Sequence, residues 1–203
     1  MKLILKSIFV FFAVGVGLYP VLYFVADMSG GLLDSKEELL KSSVWVFAFY
    51  THIIFGAIAL LSGWSQFFKS IRTKHISLHR LLGKIYVITV IFSGVSGLYI
   101  AWYALGGVVS RWGFLCMDIC WISATLIAFT FIRKKNFIRH ENWMIRSYAV
   151  CFAAVTLRLW LPVFAIFTNM EFVESYRIIS WLSWIPNLVV AEFIISRIRK
   201  NSI

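Results

Sequence analysis

Arg139-His140-Glu141-Asn142-Trp143-Met144-Ile145-Arg146-Ser147-Tyr148 opens as a charged, histidine-bearing turn, and the chain then runs from Ala149 to Pro162 as an apolar helix. Deep in that apolar run stands Arg158. Its guanidinium does not lose its proton, so inside hydrocarbon it needs a partner or water. A basic opening followed by residues compatible with lipid is how a membrane span begins. Crossing about 30 Å of hydrocarbon takes about 20 predominantly apolar residues. Six stretches meet that length: residues 3–26, 43–68, 81–105, 112–132, 143–167 and 178–196.

Composition agrees. The 203 residues are 61% hydrophobic and 14% charged, whereas soluble domains carry about 25% charged residues. Such a chain cannot cover itself with polar surface. Its net charge of +11 does not point to nucleic acid, which would require a basic face on a soluble domain. The basic residues instead fall between the apolar runs, where they orient the chain and meet anionic lipid. The expected partner is therefore the lipid bilayer, with no nucleic acid. Cys116, Cys120 and Cys151 all lie within apolar runs and read as small hydrophobes, not as a disulfide framework. Cys116 and Cys120 share a helix face, but a metal there would need ligands from elsewhere.

The loops set the orientation. Lys69, Arg72, Lys74, Arg80 and Lys84 lie at the junction of spans two and three. Arg133, Lys134, Lys135 and Arg139 separate four from five, and Arg197, Arg199 and Lys200 follow six. The alternate loops hold Asp27, Asp34, Glu37 and Glu38, then Arg111, then Glu171 and Glu174. The positive-inside rule places both termini and the basic loops in the cytoplasm. Trp45, Trp112, Trp181 and Trp184 then fall toward the outer interface, and Trp64 and Trp143 toward the inner one. The first run follows Lys2 and Lys6, exceeds the usual length of a signal-peptide core and leads to no small-residue cleavage site, so a retained anchor is expected. The expectation is an all-α, six-span bundle, both ends cytoplasmic, forming one integral domain over residues 1–203 of the cell's inner membrane.

Local features refine this bundle. Ser35-Lys36-Glu37-Glu38 predicts a short capped surface helix. Ser93, Gly94, Ser96 and Gly97 make a small-residue face on span three, suited to close helix packing. Pro20, Pro162 and Pro186 fall inside spans and are expected to kink them or loosen their backbone. No internal repeat or pair of broken helices is expected.

Two polar layers lie within the spans. In the outer half, His52, Asp118 and Arg158 come from three helices. The simplest pairing is Arg158 with Asp118, because each alone is costly in hydrocarbon. His52 either completes that cluster or serves as a ligand. On the cytoplasmic side, His79 and Arg80 open span three, His140 opens span five with Arg146 a turn or two further in, and Asn187 and Glu192 come from span six. An interfacial network pairing Glu192 with Arg146, Arg80 or Lys84 accounts for these residues. The sharper alternative makes His79 and His140 an axial pair for one haem iron. Phosphate-cradling glycine loops, zinc-protease histidine motifs and serine elbows are missing from the sequence.

Four runs carry a family resemblance: His79-Arg80-Leu81-Leu82-Gly83-Lys84-Ile85-Tyr86-Val87, His140 through Ala149, Ala153-Ala154-Val155-Thr156-Leu157-Arg158, and Trp184-Ile185-Pro186-Asn187-Leu188 through Glu192. Over spans two to six the chain resembles the bacterial membrane family known as domain of unknown function 2306. The resemblance implies a polytopic membrane protein and no particular reaction. His79, His140, Arg146, Arg158, Asn187 and Glu192 fall on its motifs. The layout of histidines near helix ends is also similar, more loosely, to transmembrane b-type cytochromes, although the chain lacks the two histidines on each of two helices that would stack two haems.

Three functional readings follow. The first is a redox or electron-transfer protein holding haem b or a quinone, with His79 and His140 as ligands, His52 as a further candidate, and Arg80 or Arg146 on propionates or a quinone carbonyl. The second is a small-molecule or proton-coupled transporter whose path is lined by Arg158, Asp118 and His52. The third is a non-catalytic assembly or sensory subunit. The cost of explaining histidines at corresponding helix ends places the redox reading first. The sequence does not decide whether the protein is an enzyme, nor which subunits it meets.

Overall fold

In a bilayer core no water satisfies backbone amides and carbonyls, so a spanning chain coils into helices. The computed structural model describes residues 2–25 and 36–200, and among these the secondary structure is helical, with no strand. Helix α1 is Lys2–Leu18, continued through a 3₁₀ turn at Tyr19–Val21 into α2, Leu22–Val25. A short α3, Glu37–Leu40, precedes α4, Ser43–Gly63, a 3₁₀ turn at Trp64–Phe67 and α5, Lys69–Lys74. Then come α6, Ile76–Ala101; α7, Val108–Arg133; α8, Phe137–Cys151; α9, Ala153–Phe167; α10, Phe172–Leu182; and α11, Ile185–Lys200. Six stretches are long and apolar enough to span: Ile4–Val21, Ser43–Phe67, Ile76–Ala101, Val108–Arg133, Phe137–Phe167 and Phe172–Lys200.

These spans agree in number with the sequence reading and differ at their ends. The third begins five residues earlier than expected and stops at Ala101, because Gly106 and Gly107 carry positive φ and turn the chain into α7. The fifth starts six residues earlier, where Asn136 caps α8 by accepting from the Arg139 amide at 3.1 Å. The expected surface helix is present as α3, with Lys36 at its cap position and no capping side chain. Ser35, Asp27 and Asp34 lie outside the described residues.

Spans five and six each contain a local interruption of one or two residues, while each still runs as one span, Phe137–Phe167 and Phe172–Lys200. Phe152 separates α8 from α9 with ψ of −7°, and the Val155 amide donates to its carbonyl in a 3₁₀-type bond of 2.9 Å. Ser183 and Trp184 separate α10 from α11, two residues before Pro186. Lacking an amide hydrogen, Pro186 cannot close the helical bond to Leu182. Pro20 likewise sits in the turn that ends α1. Pro162 lies inside α9, which continues past it to Phe167.

The chain forms two compact units, within Met1–Ile100 and Ala101–Ile203. In the first, α1 lies so close to α4 that a Cβ on Gly17 would come within 2.7 Å of the Leu61 side chain. Phe9 meets Phe67 edge-on at 6.4 Å. The small-residue face of α6 packs on α4: Ser93 is fully buried, a Cβ on Gly56 would lie 3.1 Å from its hydroxyl, and Phe55 stacks on Phe92 at 5.0 Å.

In the second unit α7 and α8 form an antiparallel hairpin through a turn in which Lys135 adopts φ of 56°. Buried Thr125 and Ser147 bond hydroxyl to hydroxyl across it at 2.6 Å. Helix α10 crosses α7 where a Cβ on Gly113 would lie 2.6 Å from the Ser180 hydroxyl. Trp181 Nε1 donates to the Val109 carbonyl at 3.2 Å, and Arg177 Nε to Gly106 at 2.9 Å. Helix α11 packs on α8.

Small polar residues are buried within a largely apolar core, while many large apolar side chains face outward. Ser93, Ser110, Thr125, Ser147, Ser180 and Asp118 are buried, whereas Phe11, Phe47, Val44 and Val189 are largely exposed. That pattern suits a molecule whose solvent is hydrocarbon. Trp112 is exposed as a belt residue should be, but Trp45 and Trp184 are buried in packing and do not anchor an interface.

Candidate functional site

The two interruptions meet. Thr156, in the first turn of α9, donates its hydroxyl to the Ser183 carbonyl at the end of α10. Asn187, in the first turn of α11, directs Nδ2 at three acceptors: the Ser183 carbonyl at 3.0 Å, the Thr156 hydroxyl at 3.1 Å and the Ala149 carbonyl at 3.2 Å. A carboxamide nitrogen has two hydrogens, so at any instant one acceptor is less well served. Interrupting a helix frees carbonyls, and Asn187 and Thr156 return hydrogen bonds to them. Of this centre, the sequence reading singled out Asn187 and placed no role on Thr156 or Ser183. Pro186 three residues after Ser183 was the signal for that end, whereas nothing local marks Thr156.

Asp118 lies at the same level of the unit. It is one heptad before Thr125, so it shares that helix face and stands about 10 Å closer to the start of α7. Thr125 faces Ser147 on antiparallel α8, so a step of that length reaches the Phe152 interruption. Asp118 is 2% exposed, and its Oδ1 has no hydrogen-bond partner among the described residues. The hydroxyl of Ser183 and Nε1 of Trp184, at the second interruption, are also buried without one. Buried polar atoms of this kind are uncommon and ask for an ion, water or proton.

The expected ion pair of Asp118 with Arg158 is not formed. Arg158, half-buried on α9, donates Nη1 to the Ala154 carbonyl of its own helix at 2.8 Å. Helix α9 packs on α10 and α8, whereas α7 packs on α8 and α10. This places the two side chains on helices that share neighbours without packing closely on each other.

The network expected at the cytoplasmic side forms in one of its proposed pairings. Arg146 grips Glu192 with two bonds, Nε to Oε1 at 2.5 Å and Nη2 to Oε2 at 2.9 Å, joining α8 to α11. The same guanidinium lies over the Trp143 ring, 4.6 Å from its centroid. Bidentate geometry makes this one of the stronger kinds of ion pair, although Glu192 is half-exposed.

The histidines fall in both units. His52 Nδ1 donates to the Ser93 carbonyl at 2.9 Å, and Ser93 Oγ donates back to the His52 carbonyl at 2.9 Å. His140 Nδ1 donates to the Ala128 carbonyl at 2.9 Å, tying the start of α8 to α7. A carbonyl only accepts, so Nδ1 carries the hydrogen in both rings and Nε2 presents the lone pair when the ring is neutral. His79 sits half-buried in the first turn of α6 beside exposed Arg80, in the first unit, and His140 in the second. Among the described residues no three His, Cys, Asp or Glu gather in the manner of a metal site.

The family described as "Predicted membrane protein (DUF2306)" matches residues 49–195. No curated protein and no solved structure matches the chain. The matched segment contains both interruptions, Asp118, and the Arg146–Glu192 pair.

Proposed function

The chain belongs to this family of predicted membrane proteins, and from that premise we propose that it is a multi-pass inner-membrane carrier of a small solute, coupled to a proton or another cation at Asp118. The meeting of two interrupted spans through Thr156 and Asn187 supports this reading. Discontinuous spans place backbone carbonyls and helix termini in the bilayer interior, where many carriers bind solute and coupling ion. Asp118 lies at that level and keeps an oxygen available. Arg158 on α9, which packs on α8 and α10, is the candidate cation for a solute's carboxylate or phosphate.

A hydrophobic carbodiimide tests the carboxyl's role in the purified, folded protein. Mass spectrometry should find an adduct on Asp118, absent in Asp118→Asn and slowed when the coupling cation or proton supply is changed. A folded protein in which Asp118 stays unmodified under all these conditions, while carboxyls outside the spans react, contradicts the assignment.

One observation favours the redox reading as a second possibility. The Nδ1–H bonds of His52 and His140 are the arrangement that holds a ligating imidazole in place. Haem b or a quinone is the cofactor of that reading, with His79 and Arg80 in the first unit, and His140 with Arg146, which already holds Glu192, in the second, as the candidate residues. A reduced-minus-oxidised spectrum of protein from haem-replete cells decides it. Soret and alpha bands lost in His79→Ala and His140→Ala, but kept in a His75→Ala variant of the loop residue between α5 and α6, support this reading. Bands absent from the wild type remove the haem form.

A further inference from the structure

The second unit carries an open cleft of about 670 Å³ where the end of α7, the start of α8 and the end of α11 converge. Its charged lining residues are Arg139, Arg146, Arg199 and Glu192. Glu192 is the single carboxylate among them and both its oxygens are held by Arg146. Arg139 and Arg199 therefore remain as uncompensated positive charge. Buried Asn142 and the Trp143 ring complete the wall on the α8 side. Ile127, Phe131 and Ile195 supply the apolar part of the lining.

We propose that this cleft binds a phosphate ester, and that its source is the headgroup of an anionic phospholipid. Two guanidiniums free to donate in parallel pairs suit phosphate oxygens better than a single ammonium would. The Arg146–Glu192 bridge ties α8, which carries Arg139 over the Phe131 ring at 5.3 Å, to α11, which carries Arg199. The apolar lining at Ile127, Phe131 and Ile195 gives acyl chains a surface within the same cleft, which free phosphate would not use. This site stands apart from the proposed carrier centre and does not depend on it.

Native mass spectrometry of the full chain in detergent supplies the test, with phosphatidylglycerol, phosphatidylcholine and inorganic phosphate as probes. The expected result is retention of phosphatidylglycerol over phosphatidylcholine, weakened about tenfold by Arg139→Gln with Arg199→Gln and little changed by Lys134→Gln with Lys135→Gln, which removes equal charge outside the cleft. Should the glutamine variant fail to fold, Arg139→Lys with Arg199→Lys keeps the charge and removes the fork, and intermediate retention is then expected. Displacement of lipid by millimolar inorganic phosphate would assign the phosphate chemistry to a free ligand instead. Equal retention of both lipids, or equal loss in both double variants, overturns the site.

Discussion

Asn187 binds three segments together through one nitrogen. Its Nδ2 serves acceptors on α9, on α10 and on the last turns of α8. Leucine there leaves those acceptors without that donor, at a cost of about 1–2 kcal/mol, since interhelical hydrogen bonds in membranes are individually modest. A thermal or denaturant titration of Asn187→Leu checks this, and a variant as stable as the wild type contradicts it. Arg158 and Asp118 give the opposite expectation. Because no ion pair joins them, Arg158→Leu and Asp118→Leu should combine additively within about 0.5 kcal/mol. A coupling above about 1 kcal/mol in the double-mutant cycle would restore the pairing that sequence alone suggested. That pairing was reasonable from depth and charge. It failed because depth does not say which helices are neighbours.

Among elements, two of the three prolines were the most legible features, whereas the glycines of close approach, Gly17, Gly56 and Gly113, were not read from the sequence. Pro20 and Pro186 sit at helix interruptions, as their missing amide hydrogens require. Pro162 does not divide α9, and the second interruption of the pair falls at Phe152, where neither glycine nor proline marks the sequence. That break is tied to α10 and α11 by Thr156 and Asn187 and so depends on tertiary partners. Close approach of helices gives a clean comparison. Gly113→Ala would place a Cβ 2.6 Å from the Ser180 hydroxyl and 3.2 Å from its backbone carbonyl carbon. It should cost about 1–3 kcal/mol by forcing α7 from α10. Gly15→Ala meets nothing within 4 Å and should stabilise α1 by up to about 1 kcal/mol. Unfolding titrations of the two variants should therefore shift in opposite directions, and equal shifts would contradict the α7–α10 contact.

For the whole molecule, six spans follow from length and hydropathy, and buried serines with outward-facing phenylalanines agree with them. Orientation is the expectation that rests on loop charge. Cysteines placed at Glu174 should be labelled from outside, and those at Lys74 and Lys135 only from the cytoplasm. External labelling at Lys74 would reverse the assignment. What sequence could not supply was the centre itself, because the bonds among Thr156, Ser183 and Asn187 join residues about 30 positions apart. The central claim is that these interruptions line a path reached by water. It is tested by replacing Cys116, Cys120 and Cys151 with alanine, introducing Ser183→Cys, and exposing the membrane-embedded protein to a water-soluble methanethiosulfonate. Ala59→Cys, at a fully buried position in the first unit, serves as the inert reference. The account predicts that Ser183→Cys is modified in the folded protein while Ala59→Cys is not. Ser183→Cys that stays as unreactive as Ala59→Cys until the protein is unfolded would contradict it.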